Sequence, residues 1–484
     1  MSFKLFFLST FRGLKNTAKV EAKRDQLWAD FQLYTELQQS EDLKPYQELD
    51  QYVNSEAFKK EKSETKALKF AGSPEAKLLS EFKKLESDAK LKDFYVALNS
   101  ADFQKFKLLE KSDTIKEFVA LRDYVGSKQF ESDKAAFEAL DKTEDSVSFE
   151  QSEAGRKYET FRKLSNSEDV LFWTEYPSSK MHKHYKEMVN SHKRVRYEEL
   201  KKEIETEAFQ SRKAFLEDTD RWEKSEASQK EKTYLAMKSE PRFQVYDKYK
   251  NTNEFSFFVN HELLLEDHFE KGELDKSKWK SISVMAERTV GKNFSKAGDL
   301  QGYTNGENIL QAGSSLKLAV KREKVDSFVW NFPIGFIPVS FDYSAGMICS
   351  AESFQLKSGV LEAKIRYQPN KQLVDLFYLS DDQNNYRLNL LEAGTVCQLG
   401  LSQNNNTNGS ESLGGLSAGQ FYIFRMEWGQ GRICWTINNH EIYSVQQNVP
   451  DSPLRINMSS IVVETPRSLP HYFEIDWVRL YKNK

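Results

Sequence analysis

The sequence predicts a chain in two parts: an all-α helical-repeat array over residues 1–260 and an antiparallel β-sandwich over residues 261–484. Three observations predict this. Of the 21 glycines, Gly13, Gly72, Gly126 and Gly155 lie before residue 260 and the other 17 after it. Glycine is costly inside a helix and useful in turns. Residues 1–260 hold 47 basic and 48 acidic side chains, as expected of helices with solvated faces and i,i+4 pairs, for example around Lys59-Lys60-Glu61-Lys62. The third observation is a break that recurs through the first part.

At each break an aromatic- or Leu-ended segment gives way to Asn or Gly, then Ser or Thr, then Phe three residues on. Examples are Asn54-Ser55 with Phe58, Asn99-Ser100 with Phe103 and Gly126-Ser127 with Phe130. Asn166-Ser167, Thr206 with Phe209, and Asn251-Thr252 with Phe255 continue the series. Asn or Gly tolerates the left-handed conformation that ends a helix, and Ser or Thr caps the next one. The Phe is placed to pack into the hairpin. Gly72-Ser73-Pro74 is a second form, with Ser at N-cap and Pro at N1. A break every 27–46 residues suggests an irregular repeat whose units stack on their neighbours. No named repeat family fits. Such an array offers a surface for a protein partner or a spacer, and a plain bundle is the alternative.

Several classes are excluded or disfavoured. The net charge of −3 gives no basic field for nucleic acid. No run of 18 apolar residues exists, so no transmembrane helix is expected. The N-terminus, with Phe3, Phe6, Phe7 and Leu14 beside Lys4, Arg12 and Lys15, reads as an amphipathic helix docking on its neighbour rather than a signal peptide. Cys349, Cys397 and Cys434 lie far apart, which suits free thiols in a reducing compartment and leaves no metal site. No cofactor is expected. His182 and His184 read as a solvated face.

The second part alternates short apolar stretches with Gly, Asn and Ser turns, as a β-sandwich does. Here residues carry a resemblance. Glu266-Asp-His-Phe-Glu-Lys-Gly-Glu-Leu-Asp-Lys-Ser-Lys-Trp279 resembles the opening of family 16 glycoside hydrolases, of the concanavalin A-like lectin/glucanase superfamily. Tyr343-Ser-Ala-Gly-Met-Ile-Cys-Ser350 and Ser358-Gly-Val-Leu-Glu-Ala-Lys-Ile-Arg366 are similar to paired strands of that family. Phe421-Tyr-Ile-Phe-Arg-Met-Glu-Trp428 with Ile433-Cys-Trp-Thr-Ile-Asn-Asn-His-Glu-Ile442 resembles its hairpin, and Phe473-Glu-Ile-Asp-Trp-Val-Arg-Leu-Tyr481 its closing strand. The resemblance implies a jelly-roll sandwich and a polysaccharide partner outside the cytoplasm. The N-terminus and cysteines point to the cytoplasm instead.

The family's catalytic signature is Glu-x-Asp-x-x-Glu on one strand, where i and i+2 share a face and a bulge brings the third carboxylate round. The matching segment reads Arg387-Leu-Asn389-Leu-Leu-Glu392. Arg387 stands at the nucleophile position, where a guanidinium has no lone pair to attack an anomeric carbon. Asn389 replaces the middle Asp. Glu392 is a remnant acid/base, expected to pair with Arg387. Loss of retaining hydrolysis follows. Phe377, Tyr378, Asp375 and Trp330 are candidate ligand-binding residues, and Asp375 with Glu392 could form an inverting pair. Glu474 and Asp476 mimic the signature but sit in the closing strand, and Glu362 is a strand residue. Trp330-Asn-Phe-Pro-Ile-Gly-Phe-Ile-Pro338 reads as an apolar loop that lines the cleft or, preferentially, docks on the helical half, and 404–409 as a flexible loop. Three functions stay open: a non-catalytic glycan-binding or interaction protein, a hydrolase with a rearranged site, and a structural module.

Overall fold

The computed structural model describes residues 14–139, 148–311, 313–404 and 406–484. The amphipathic reading of Phe3, Phe6 and Phe7 lies outside the described residues. Helix gives way to strand between helix Ser256–Asn260 and strand His261–Asp267. By compactness the chain divides into a unit Tyr46–Ala236 and a unit that joins the segment up to Pro45 with Met237–Lys484.

The unit Tyr46–Ala236 is built from short helices, among them Glu56–Ala67, Pro74–Glu86, Ala89–Leu98, Ala101–Leu109, Asp113–Val125 and Lys128–Glu138 on the way out. Glu153–Ser165, Glu168–Glu175, Lys180–Met188, His192–Ile204 and Glu207–Glu217 lead back. Their start sites follow the sequence reading. The hydroxyls of Ser55, Ser100, Ser127, Ser167 and Thr206 accept the N–H of the residue three on. The left-handed helix end is corrected: Asn99, Gly126 and Asn166 have φ of −92°, −81° and −98°. The reason lies in the same hydroxyls. Each also donates to a last-turn carbonyl of the preceding helix, at 2.7–2.8 Å, and so satisfies the group that a left-handed residue would have turned to reach. Among the described residues of this unit only Gly72, in the Gly-Ser-Pro form, takes a positive φ, of 87°. Thr252 is the exception to the caps: it donates to the Tyr249 carbonyl, and helix Ser256–Asn260 begins at Phe255 with no side-chain cap. Ser55→Ala and Ser167→Ala are therefore expected to cost about 1 kcal/mol each in urea unfolding, and Thr252→Ala distinctly less.

Stacking on sequence neighbours is also corrected. Aromatic pairs link distant helices: Tyr46 with Tyr234, Phe58 with Trp222, Phe82 with Tyr197, Phe94 with Tyr185, Phe118 with Phe161 and Phe130 with Tyr158, ring centroids 5.2–5.7 Å apart. Each step forward along one arm is matched by a step back along the other. The array is a long antiparallel ladder of helices, because the buried ring of each short helix has its apolar partner across the ladder.

In the other unit, a ten-stranded sheet packs on a seven-stranded one. The ten-stranded sheet runs, by strand, from His440–Val445 through Arg432–Ile437, Phe421–Gly429, Gly359–Arg366 and His471–Asn483 to Leu316–Lys321, Tyr343–Ala345 and Gln301–Tyr303. The seven-stranded sheet runs Asn406–Leu413, Cys397–Gln403, Tyr386–Ala393, Leu373–Ser380, Arg455–Val462, Met347–Ser350 and Trp279–Lys280. One continuous core between them takes Leu361, Phe424, Trp435 and Ile475 from the first and Phe377, Leu391, Leu399 and Met458 from the second. The family-like hairpin and closing strand form as expected, but the strands after Tyr343 do not pair with Gly359–Arg366, which lies between Phe421–Gly429 and His471–Asn483. Residues 406–409 are no free loop: they belong to strand Asn406–Leu413, which pairs with Cys397–Gln403.

Helix Thr17–Gln39 covers the outer face of the ten-stranded sheet. Val20 packs on Ile423 and Trp477. Glu21 accepts from the Trp477 indole at 2.7 Å and from Lys364 at 2.8 Å, and Thr17 donates to the Phe421 carbonyl. The signature-like Glu474 and Asp476 are on this sheet, paired with Arg366 and Lys364. Glu362 is buried against Arg425. Cys349 and Cys397 are buried and Cys434 half-buried, all free thiols.

Candidate functional site

Strand parity decides which side chains meet on the open face of the seven-stranded sheet. In Leu373–Ser380, odd positions go to the core and even ones outward. In Arg455–Val462, Ile456 and Met458 are core, so Arg455, Asn457 and Ser459 face out. The register then lays out three rows across four strands. Asn457, Tyr378, Asn389 and Gly400 form the middle row. Arg455, Ser380, Arg387 and Ser402 form one flank, and Ser459, Leu376, Glu392 and Gln398 the other.

A bulge between Asn389 and Glu392 brings the third signature position onto the face of the first two. The three side chains close on one another. Arg387 Nε donates to Asn389 Oδ1 at 2.7 Å, Arg387 Nη2 to Glu392 Oε2 at 3.3 Å, and Asn389 Nδ2 to the same Oε2 at 3.0 Å. The Arg387 guanidinium lies 4.5 Å from the Tyr378 ring centroid. Burial pushes the Tyr378 hydroxyl above its ordinary pKa, against the pull of Arg387.

Two supports of this face carry no sequence signature. Trp435, fully buried in the ten-stranded sheet, donates its indole N–H across the core to the Asn389 carbonyl at 2.9 Å and holds the bulge from beneath. Arg455 donates twice to Asp382, at 2.6 and 2.9 Å, and Asp382 also accepts from Arg288. Asn457 donates to Ser380 at 3.0 Å. Alternation of polar with core residues in Arg455–Val462 was the available signal.

Two candidate ligand residues are corrected. Phe377 has 0% of its surface exposed, locked in the sandwich core, and meets no ligand. Asp375 shares its inward parity. It is 2% exposed and accepts from Ser460 Oγ at 2.7 Å and from His471 Nε2 at 2.9 and 3.0 Å. It therefore faces the other sheet, away from Glu392, and the inverting pair is removed. Trp330, the remaining candidate, lies in a β-hairpin, Val325–Asn331 with Gly335–Phe341, rather than in a loop, and is 47% exposed. Among the described residues no group of three His, Cys, Asp or Glu side chains gathers to hold a metal ion, and no helix is long and apolar enough to cross a membrane.

No family model matches the chain, and no curated protein matches it. Among solved structures, neighbours of the C-terminal half are laminarinases and glucanases, one of them described as family GH16. The catalytic domain of an endo-1,3-beta-glucanase (laminarinase) from Thermotoga petrophila is 17% identical with a TM-score of 0.38, covering 46% of this chain and 99% of that one. The laminarinase catalytic domain from Thermotoga maritima is 16% identical with a TM-score of 0.38, covering 46% and 99%. The endo-beta-1,3-glucanase from Pyrococcus furiosus is 17% identical with a TM-score of 0.38, covering 46% and 95%.

Proposed function

We propose that the open face of the seven-stranded sheet binds a glycan without hydrolysing it. The observation that carries this reading is the closure of Arg387, Asn389 and Glu392 into one hydrogen-bonded group. Retaining hydrolysis needs two carboxyl groups about 5–5.5 Å apart, one as nucleophile and one as acid/base. At this place Glu392 is the one carboxylate of the group, and both neighbours hold the same oxygen. What the face offers instead is recognition. Half-buried Gln398 and Ser402 add hydrogen-bonding groups on the same face as Tyr378, a ring of the kind on which sugar C–H faces stack.

The test is binding of the full-length chain to a panel of immobilised polysaccharides that includes β-glucans, with reducing ends assayed in parallel. Saturable binding to one class is expected, weakened about tenfold by Tyr378→Ala, with no reducing ends released. Release of reducing ends that Glu392→Gln abolishes would overturn the non-catalytic reading. Absence of binding across the panel would overturn the glycan reading.

A further inference from the structure

The hairpin formed by Val325–Asn331 and Gly335–Phe341 plays no part in the glycan reading, and its tip is unusual for a folded surface. Phe332 is 82% exposed, Ile334 73% and Trp330 47%. Large apolar side chains clustered in water at one protrusion mark a surface that meets something.

We infer that this tip inserts into the interface of a lipid bilayer. The chemistry of the segment selects that occupant. Between Ser327 and Ser340 no residue is charged, and the hydrogen-bonding side chains are the Asn331 amide and the Trp330 indole N–H. A sugar subsite needs donors and acceptors beside its ring, and the apex Phe332-Pro333-Ile334 carries no side-chain donor or acceptor. A second strand is blocked as well, since Gly335–Phe341 is the sheet edge and carries Pro338.

The layering follows an interface. Phe332, Pro333 and Ile334 form the apex. One step back, Trp330 faces Phe336 across the hairpin, ring centroids 4.9 Å apart, at the depth that amphipathic rings favour in a membrane. Beside Trp330 in the register, on strand Phe294–Lys296, stands Lys296, with Lys292 over the Phe328 ring at 5.8 Å. Both lysines are exposed, placed to meet anionic headgroups while the apex enters the acyl boundary.

The test is co-sedimentation of the full-length chain with vesicles of phosphatidylcholine and phosphatidylglycerol. Partition is expected to fall at least about tenfold in the double variant Phe332→Asp/Ile334→Asp. Both positions are exposed, so an unchanged melting temperature should accompany the loss. A blue shift of tryptophan emission on vesicle addition is expected to shrink in Trp330→Phe. No sedimentation with these vesicles, or sedimentation untouched by the double variant, would overturn the inference. So would a double variant that leaves the vesicles unaffected but weakens polysaccharide binding or dissociates a dimer in light scattering.

Discussion

Asp375→Ala is expected to destabilise the sandwich by about 3–5 kcal/mol, the cost of breaking a buried ion pair from one side. Asp375 is 2% exposed and receives hydrogen bonds from Ser460 and from His471, which opens a strand of the opposite sheet. Removing the carboxylate leaves the imidazole buried without its partner. A fall in melting temperature of about 10 °C is the readout. The same pair sets a pH dependence. Burial alone would lower the His471 pKa, but the hydrogen bond and charge of Asp375 outweigh it and hold the group above its ordinary value. A group raised in the folded state contributes stability in full below its unfolded pKa, about 6.5, and loses it as pH rises through the folded value. Wild-type stability should therefore decline above about pH 6.5, and His471→Gln should flatten that part of the profile. An unchanged slope in His471→Gln would assign the decline elsewhere.

Trp435→Ala should cost about 3–5 kcal/mol, as truncation of a fully buried indole does. Trp435→Phe separates packing from polarity. It keeps most of the ring but leaves the Asn389 carbonyl unpaired beneath the bulge, at about 1–3 kcal/mol. Because that bulge aligns Glu392 with Arg387 and Asn389, Trp435→Phe should weaken glycan binding more than its loss of stability explains. Binding measured well below the melting temperature of each variant checks this. Full affinity in a destabilised Trp435→Phe would show that the bulge holds its shape without the indole.

Much of the candidate site was legible because it depends on local rules. The signature spacing at Arg387, Asn389 and Glu392 needed only strand parity and one bulge, and the structure brings those side chains within hydrogen-bonding distance. Phe377 and Tyr378 could be told apart only by parity relative to the core. Adjacent strand residues face opposite ways, so one of the two had to be buried, and the second sheet decided which. Asp375 follows the same parity, and with it the inverting pair failed. The segment of Trp330 and Phe332 carries no local signal for a hairpin that holds both rings outward, 47% and 82% exposed.

The helix starts at Ser55, Ser100, Ser127, Ser167 and Thr206 were legible in the sequence, though not the one after Thr252, since a Ser or Thr hydroxyl acts within three residues of its own backbone. The change from helix to strand after residue 260 was legible too, through glycine and charge, as was the spacing of Arg387, Asn389 and Glu392. Only the tertiary structure decided the rest. Phe58 meets Trp222, Trp435 reaches Asn389, and Asp375 meets His471 across gaps of many residues. Such contacts form where two separately folded faces come together, and no local pattern records which faces those are.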